Sequence, residues 1–283
     1  MQARTMAAAA VAFTVVGVGA FYAHRSDLPG PLPRPIGCVV QAEGTVNLDP
    51  AQMANAATIA AVGIRRGMPE RGIVVALATA FQESRLRNLA GGDRDSVGLF
   101  QQRPSQGWGT PQQIRDPRYA AERFYSALHK VHGWERMRVT DAAQKVQRSA
   151  FPEAYQQWAD DAAVLARALL GNASGAVACT VAPVPALRGV AATTALTSMI
   201  ALDWGTVPAP PPDRLAGFAL AAVDARAGWR YAHWLVSHAD DNGVKRVRFA
   251  GLQWTAGDGT WSAIRDGSPS TDRVIAEVFA DER

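Results

Sequence analysis

The chain has 283 residues, of which 48% are hydrophobic and 19% are charged. A sequence of this length and apolar content can bury a sizeable core, which excludes a wholly disordered protein. The formal net charge is +4, from 29 Lys and Arg residues against 25 Asp and Glu residues. No block of basic residues is long enough to follow a nucleic-acid backbone, so we expect no nucleic-acid partner.

The N-terminal segment is strongly apolar. Residues 6–23 carry no charge, and Arg4 precedes them. An apolar run of about eighteen residues predicts a signal peptide or a hydrophobic helix that stays as a membrane anchor, within residues 1–25. In either case we expect the rest of the protein outside the cytoplasm, membrane-anchored or secreted. The proline-rich residues 26–37 are predicted to form an extended spacer.

The protein has two cysteines, Cys38 and Cys179, and they do not form a C-x-x-C motif. In an oxidising compartment, two distant cysteines predict one disulfide that ties together the ends of a domain. Two unpaired buried thiols are the alternative.

Residues 38–179 are predicted to form a domain of about five helices. Asp49 precedes a proline, which is typical of a helix start, and apolar residues at helical spacing continue to a stop at Gly67. A second helical run reaches Glu83. The Gly, Asp, Ser, Gln and Pro content of residues 89–109 predicts a loop.

Three further helices are predicted to begin near Asp116, Thr140 and Pro152. Residues 180–212 are rich in Pro and Ala and are predicted to be a linker. Residues 213–283 combine a helical pattern with alternating strand patterns, which predicts a small α+β module. The predicted fold class is therefore mainly α: a helical domain after an N-terminal hydrophobic helix, plus a small C-terminal α+β module.

Glu83 is the residue with the clearest chemical role. It ends an apolar helical run, and a Gly-Leu-Phe-Gln-Gln stretch, residues 98–102, lies fifteen residues downstream. A carboxyl group held among apolar neighbours keeps its proton, and a protonated carboxyl can donate that proton to the leaving oxygen of a glycosidic bond. The pattern therefore indicates glycoside cleavage.

Glu83 and Ser84, followed by the Ser-Val-Gly-Leu-Phe-Gln stretch at 96–101, resemble the signature of the lytic transglycosylase and goose-type lysozyme families. Residues 116–128 are similar to the helix that follows in those families. The resemblance covers about residues 48–171. It implies a lysozyme-like helical domain and an enzyme that cleaves peptidoglycan.

The resemblance also implies a role for each matching residue. Glu83 would be the general acid and then the base, with the N-acetyl group of the substrate in place of a second carboxylate. The substrate-binding residues would be Ser96, Gln101, Gln102 and Tyr125, although Gln102 could instead satisfy buried backbone groups. The enzyme would cleave the β-1,4 bond between N-acetylmuramic acid and N-acetylglucosamine in glycan strands and would need no cofactor.

Two positions depart from the family pattern. Phe100 stands where the families usually have methionine, and residues 143–149 contain no Tyr-Asn pair. Gln147 or Tyr155 would have to substitute for the missing tyrosine. A non-catalytic cell-wall-binding or scaffold protein with the same fold is therefore the alternative function.

Other candidates have simpler interpretations. Asp93 and Asp95 could supply a second carboxylate or form a turn, and Trp108 could stack on a sugar or cover the core. His129 and His132 have no third ligand nearby, so we predict no metal site. The C-terminal tryptophans are expected to form a core rather than a sugar-binding surface: Trp229, Trp234, Trp254 and Trp261.

Overall fold

The computed structural model describes residues 35–211, 216–265 and 271–281. The apolar segment predicted as a signal peptide or anchor lies outside these residues, as does nearly all of the spacer. One compact unit spans Ile36–Arg283. Within the described ranges, no helix is long and apolar enough to cross a lipid bilayer.

The helices and strands of the described residues follow this order along the chain: β1 Gly37–Gln41, β2 Thr45–Leu48, α1 Pro50–Arg65, α2 Glu70–Ser84, α3 Pro111–Ile114, α4 Pro117–Leu128, α5 Val139–Gln147, α6 Ala159–Leu169, β3 Val177–Thr180, α7 Gly189–Trp204, β4 Gly217–Ala221, α8 Ala225–Ser237, α9 Ala239–Asn242, β5 Val244–Phe249, β6 Leu252–Thr255, β7 Trp261–Ala263 and β8 Arg273–Val278. Short 3₁₀ turns occur at Pro104–Gln106, Trp134–Arg136 and Gln156–Trp158.

The prediction of a mainly α fold is wrong. The described residues are about 46% helix and 17% strand, and their strands form two antiparallel sheets. The three-stranded sheet has the order β2-β1-β3, and the five-stranded sheet has the order β4-β8-β5-β6-β7. Strand patterns were predicted only within residues 213–283, so β1, β2 and β3 were missed. Strands of four or five residues leave little local signal, and β3 pairs with β1, which lies far away in the sequence.

Helices α1 and α2 hold the centre of the N-terminal half. The Asp49 carboxylate accepts the backbone N–H of Gln52, and the Gln52 side chain accepts the N–H of Asp49, which forms a capping box at the start of α1. Helix α2 is buried along most of its length. It ends where Arg85 and Leu86 adopt left-handed conformations, with φ of 55° and 58°. Glu83 therefore lies in the last turn of α2, at the point where the chain reverses.

The predicted disulfide between Cys38 and Cys179 is confirmed. The two residues face each other across the antiparallel pair of β1 and β3, and both are buried. The disulfide therefore joins the first and last strands of the N-terminal half, β1 and β3, within their sheet.

The C-terminal half packs against the N-terminal half. Residues 189–204, inside the segment predicted to be a linker, form helix α7. The indole N–H of Trp254 donates to the carbonyl of Cys179 at 3.1 Å, and that of Trp261 donates to the carbonyl of Val177 at 2.7 Å. The four C-terminal tryptophans lie in the core or pack against it.

A buried carboxylate fixes α7 in place. Asp203 is fully buried, accepts one hydrogen bond from Nε of Arg118 on α4, and accepts the indole N–H of Trp234 on α8 at 2.8 Å. Burial raises the pKa of Asp203, although the charge of Arg118 opposes this. Three helices from both halves of the chain thus meet at one side chain.

Two buried histidines join the same halves. His233 accepts the backbone N–H of Ala176 at Nε2, at 3.0 Å, so its proton lies on Nδ1 and is donated to the carbonyl of Ala168 at 2.8 Å. Nε2 of His238 lies 3.3 Å from the Thr58 hydroxyl on α1, and its Nδ1 lies 2.8 Å from the carbonyl of Trp234. Burial lowers the pKa of each imidazole from 6.5 to about 4.

Acid should therefore destabilise the fold. Between pH 6.5 and 4 the unfolded chain binds protons at His233 and His238 that the folded chain does not, so the free energy of unfolding should fall as the pH falls. Each histidine should contribute a loss of about 3 kcal/mol across this window. Asp203 acts in the opposite direction, because its raised pKa favours proton binding by the folded state.

Urea unfolding at pH 7, 5.5 and 4, followed by tryptophan fluorescence, measures this dependence. The His233→Gln variant lacks one titrating ring and should show a shallower slope than the parent chain. A parent slope of zero, or an unchanged slope in the variant, would contradict the assignment.

Candidate active site

The Glu83 carboxyl group is half-buried at the end of α2, and its partner is Tyr155. The Tyr155 hydroxyl donates to Oε1 of Glu83 at 2.7 Å. Burial, together with the charge of Glu83, raises the pKa of the Tyr155 phenol. Tyr155 therefore remains a neutral donor. It is one of the two residues named above as a substitute for the family tyrosine.

Ser84 connects the end of α2 to the glycine-containing loop. Its hydroxyl donates to the carbonyl of Leu99 at 2.7 Å. From the other side, the Gln147 amide on α5 donates to the carbonyl of Phe100 at 2.8 Å. The two parts of the sequence motif, fifteen residues apart, therefore meet in space.

The loop itself has an internal hydrogen-bond network. The Ser96 hydroxyl lies 2.7 Å from the carbonyl of Asp93 and 3.0 Å from Oε1 of Gln101. The Gln101 amide group donates to the carbonyl of Gly98 at 3.0 Å. Ser96 is buried and Gln101 is half-buried. Both side chains therefore stabilise the conformation of the loop through hydrogen bonds within it.

The other two expected substrate-binding residues are buried. Gln102 donates to the carbonyl of Ala120 at 3.2 Å, and Tyr125 donates to the carbonyl of Ile59 at 3.0 Å. Burial raises the pKa of Tyr125. Tyr125 is fully buried and Gln102 is 2% exposed, so the structure leaves them no surface to offer a substrate.

The surroundings of positions 98 and 100 explain why one holds a glycine and the other an aromatic residue. Gly98 has φ of 79°, and a Cβ atom there would lie 2.7 Å from the carbonyl oxygen of Ile114. The Phe100 ring is fully buried and stacks on Phe124 with 4.7 Å between the ring centroids. The aromatic ring at position 100 thus fills the apolar core beneath the loop.

Asp95 closes the loop and is not free to act as a base. Its carboxylate accepts hydrogen bonds from Nε of Arg103 at 2.8 Å and from the backbone N–H of Ser105 at 2.7 Å. These bonds, first that of Arg103, lower the pKa of Asp95 well below its ordinary value. Asp93 is exposed, and its carboxylate lies 3.8 Å from Nε of Arg94. Glu83 is therefore the candidate proton donor.

Trp158 was not predicted as a site residue, but it packs against the end of α2 next to Glu83. Its indole N–H donates to the Gln82 side chain at 2.9 Å, its ring stacks on Phe81 at 5.1 Å, and the Arg85 guanidinium lies 4.2 Å from the ring centroid. Trp158 and Gln82 are 76 positions apart, so no local pattern could have revealed this contact.

The histidines that suggested a metal pair, His129 and His132, are both exposed. Among the described residues, no group of three or more His, Cys, Asp or Glu side chains is placed to hold a metal ion. Trp108 is partly buried, and its carbonyl accepts the Tyr119 hydroxyl at 3.1 Å.

No protein-family model matches this chain. A comparison with curated proteins also found no significant match.

Proposed function

We propose that the protein is an exported peptidoglycan glycosidase of the lytic transglycosylase or lysozyme type. It would cleave the β-1,4 bond between N-acetylmuramic acid and N-acetylglucosamine, with Glu83 as the one catalytic carboxyl group. The observation that carries this proposal is the hydrogen bond from Ser84 to Leu99, because it joins Glu83 to the Gly-Leu-Phe-Gln loop.

The proposed chemistry consists of two proton transfers at Glu83. The protonated carboxyl group donates to the glycosidic oxygen as the bond to the ring carbon breaks. The N-acetyl group of the substrate stabilises the positive charge that develops on the ring. The Glu83 carboxylate then takes a proton either from the C6 hydroxyl of the muramic acid, giving a 1,6-anhydro sugar, or from water, giving a reducing end.

Tyr155 has a positioning role in this scheme. Its hydroxyl occupies Oε1 of Glu83, which leaves Oε2 as the oxygen available to carry the transferred proton. The neutral phenol holds the carboxyl group in one orientation through both steps. Each step is a proton transfer or bond cleavage at Glu83 and the substrate, so the proposal includes no cofactor.

Two sequence features support a location outside the cytoplasm. Residues 6–23 are apolar and uncharged, as in a signal peptide or membrane anchor. The disulfide between Cys38 and Cys179 suits an oxidising compartment. Glycan strands of the cell wall would be the partner, and the N-terminal segment would contact the membrane.

Digestion of purified peptidoglycan with the full chain, followed by mass spectrometry, tests the proposal. We expect anhydro-muropeptides from a transglycosylase or new reducing ends from a lysozyme, and neither from the Glu83→Gln variant. If neither form released a product while both bound the wall, the enzyme proposal would be overturned in favour of a wall-binding scaffold.

The Tyr155→Phe variant tests the positioning role. It keeps the buried ring and removes the hydrogen bond to Glu83. A hydrogen bond to a charged group contributes about 1.5–3 kcal/mol, so kcat should fall by roughly ten- to a hundredfold with KM little changed.

Tyr125→Phe is the matched control. Tyr125 is equally buried, and its hydroxyl bonds to the carbonyl of Ile59 instead of to Glu83. It should cost about 1 kcal/mol of stability and leave kcat unchanged. Equal losses of kcat in the two variants would argue against a specific role for Tyr155.

A further inference from the structure

A cavity of about 580 Å³ lies between α4, α5 and residues 106–108. These residues are at the end of the loop formed by residues 89–109, which we call the motif loop. Its volume lies within the range of about 300–1,000 Å³ that is typical of small-molecule sites. Its charged lining residues are all basic, and they come from two helices and the segments that follow them: Arg123, Lys130, Lys145 and Arg148.

The acidic residues on α4 and α5 are already paired with arginines that do not line the cavity. Glu122, next to Arg123, binds Arg65 and Arg66 on α1. Asp141, one helical turn before Lys145, binds Arg138. The positive charge of the cavity is therefore not cancelled by its own helices.

The side chains of the cavity are available to a ligand. Among the described residues, Lys130, Lys145 and Arg148 form no ion pair, and all three are exposed. Arg123 is the exception, because its guanidinium donates to the carbonyl of Gly107 at 3.2 Å and so fixes the cavity wall. Cations gathered in a concave site raise the local concentration of anions.

The cavity borders the candidate active site without including Glu83. Gln147 lines the cavity and also donates to the carbonyl of Phe100 in the motif loop. The same loop accepts the Ser84 hydroxyl at the carbonyl of Leu99, next to Glu83. Gln147 therefore connects the basic cavity to the loop that meets the end of α2.

We propose that this cavity binds the carboxylates of the peptide that peptidoglycan carries on its muramic acid. This inference rests on the proposed function. In a peptide-bearing strand the lactyl carboxyl group of each muramic acid is bound to the peptide as an amide, so the carboxylates of the strand lie on the peptide. A basic cavity one short segment from the acid would recognise that peptide next to the bond to be cleaved.

The test compares soluble glycan strands that keep their peptides with strands from which the peptides have been removed. Binding is measured by calorimetry in the Glu83→Gln background, so that no strand is cleaved. The variant Lys130→Gln with Arg148→Gln should bind peptide-bearing strands about tenfold more weakly, which corresponds to about 1.4 kcal/mol. Its affinity for peptide-free strands, which keep only the lactyl carboxylate of each muramic acid, should fall by a smaller factor.

Arg136→Gln is the control, since Arg136 is exposed and basic but does not line the cavity. It should bind both kinds of strand as the parent does. The difference between the strands should shrink at about 1 M salt, where the Debye length is about 3 Å.

Three results would overturn the inference: equal weakening on both strands, no weakening on either, or a larger effect on a phosphodiester polymer of the wall than on the peptide. Failure of the proposed function would look different. The parent chain would then release no product from either kind of strand, while the peptide-dependent binding would still be measurable.

Discussion

Replacing Glu83 by glutamine should lower the rate of glycan cleavage by about 10²–10⁴-fold, the usual contribution of general acid–base catalysis. Glutamine has the same shape, and its amide oxygen can still accept the Tyr155 hydroxyl, so the helix end should keep its geometry. The amide cannot deliver a proton to the leaving oxygen. Release of soluble muropeptides from peptidoglycan, followed over time, gives the two rates.

Glu135→Gln is a suitable comparison, because Glu135 is an exposed glutamate in the 3₁₀ turn Trp134–Arg136. It should cleave at the parent rate, and both variants should bind insoluble peptidoglycan as the parent does. A Glu83→Gln rate within tenfold of the parent would assign the acid to another residue.

Removing the disulfide should produce the largest change in stability. The Cys38→Ala, Cys179→Ala double variant opens a loop whose ends are 141 positions apart. In the chain-entropy model, closing a loop of this length stabilises the fold by about 4–5 kcal/mol. Because both sulfur atoms are buried in the pair of β1 and β3, the sheet should lose its covalent closure while the strands still match in register.

Guanidinium unfolding of the parent and the double variant measures the difference. Adding a reductant should lower the midpoint of the parent toward that of the variant and leave the variant unaffected. A difference below about 1 kcal/mol would mean that the unfolded chain is already compact around this loop.

The sequence predicted what depends on neighbouring residues. Asp49 followed by Pro50 identified the start of α1, because capping uses side chains within one turn of the helix. The apolar spacing placed Glu83 at the end of a helix, where the structure has it. The pairing of Cys38 with Cys179 was predictable because two cysteines allow one disulfide.

Long-range contacts were not predictable in this way. Tyr125 and Tyr155 are both buried, yet the Tyr125 hydroxyl binds the carbonyl of Ile59, whereas the Tyr155 hydroxyl reaches Glu83 from a segment 72 positions away. Tyr125 lies on the apolar face of α4. Its side chain is buried because this face packs against α1. Strand β3 was missed for the same reason, since it pairs with β1 at Cys38 and Cys179, which are 141 positions apart.

In the loop of residues 89–109, the sequence predicted the irregular backbone but not the directions of the side chains. Composition predicted that residues 89–109 would be irregular, and most of them are. It could not predict that Gln101 would take a left-handed conformation, with φ of 46°, and use its amide within the loop. Side-chain direction there follows from the local network with Ser96 and not from the residue type.

Strand β3 lies at the edge of its sheet, and the side chains that cover its carbonyls come late in a chain that is synthesised from its N-terminus. Its carbonyls at Val177 and Cys179 accept the indoles of Trp261 and Trp254, which follow 84 and 75 positions later. Until those residues emerge, the strand edge is open to pairing with other nascent chains. The C-terminal tryptophans would thus act as an intramolecular guard against aggregation, and ribosome-bound chains that stop before Trp254 should depend on chaperones.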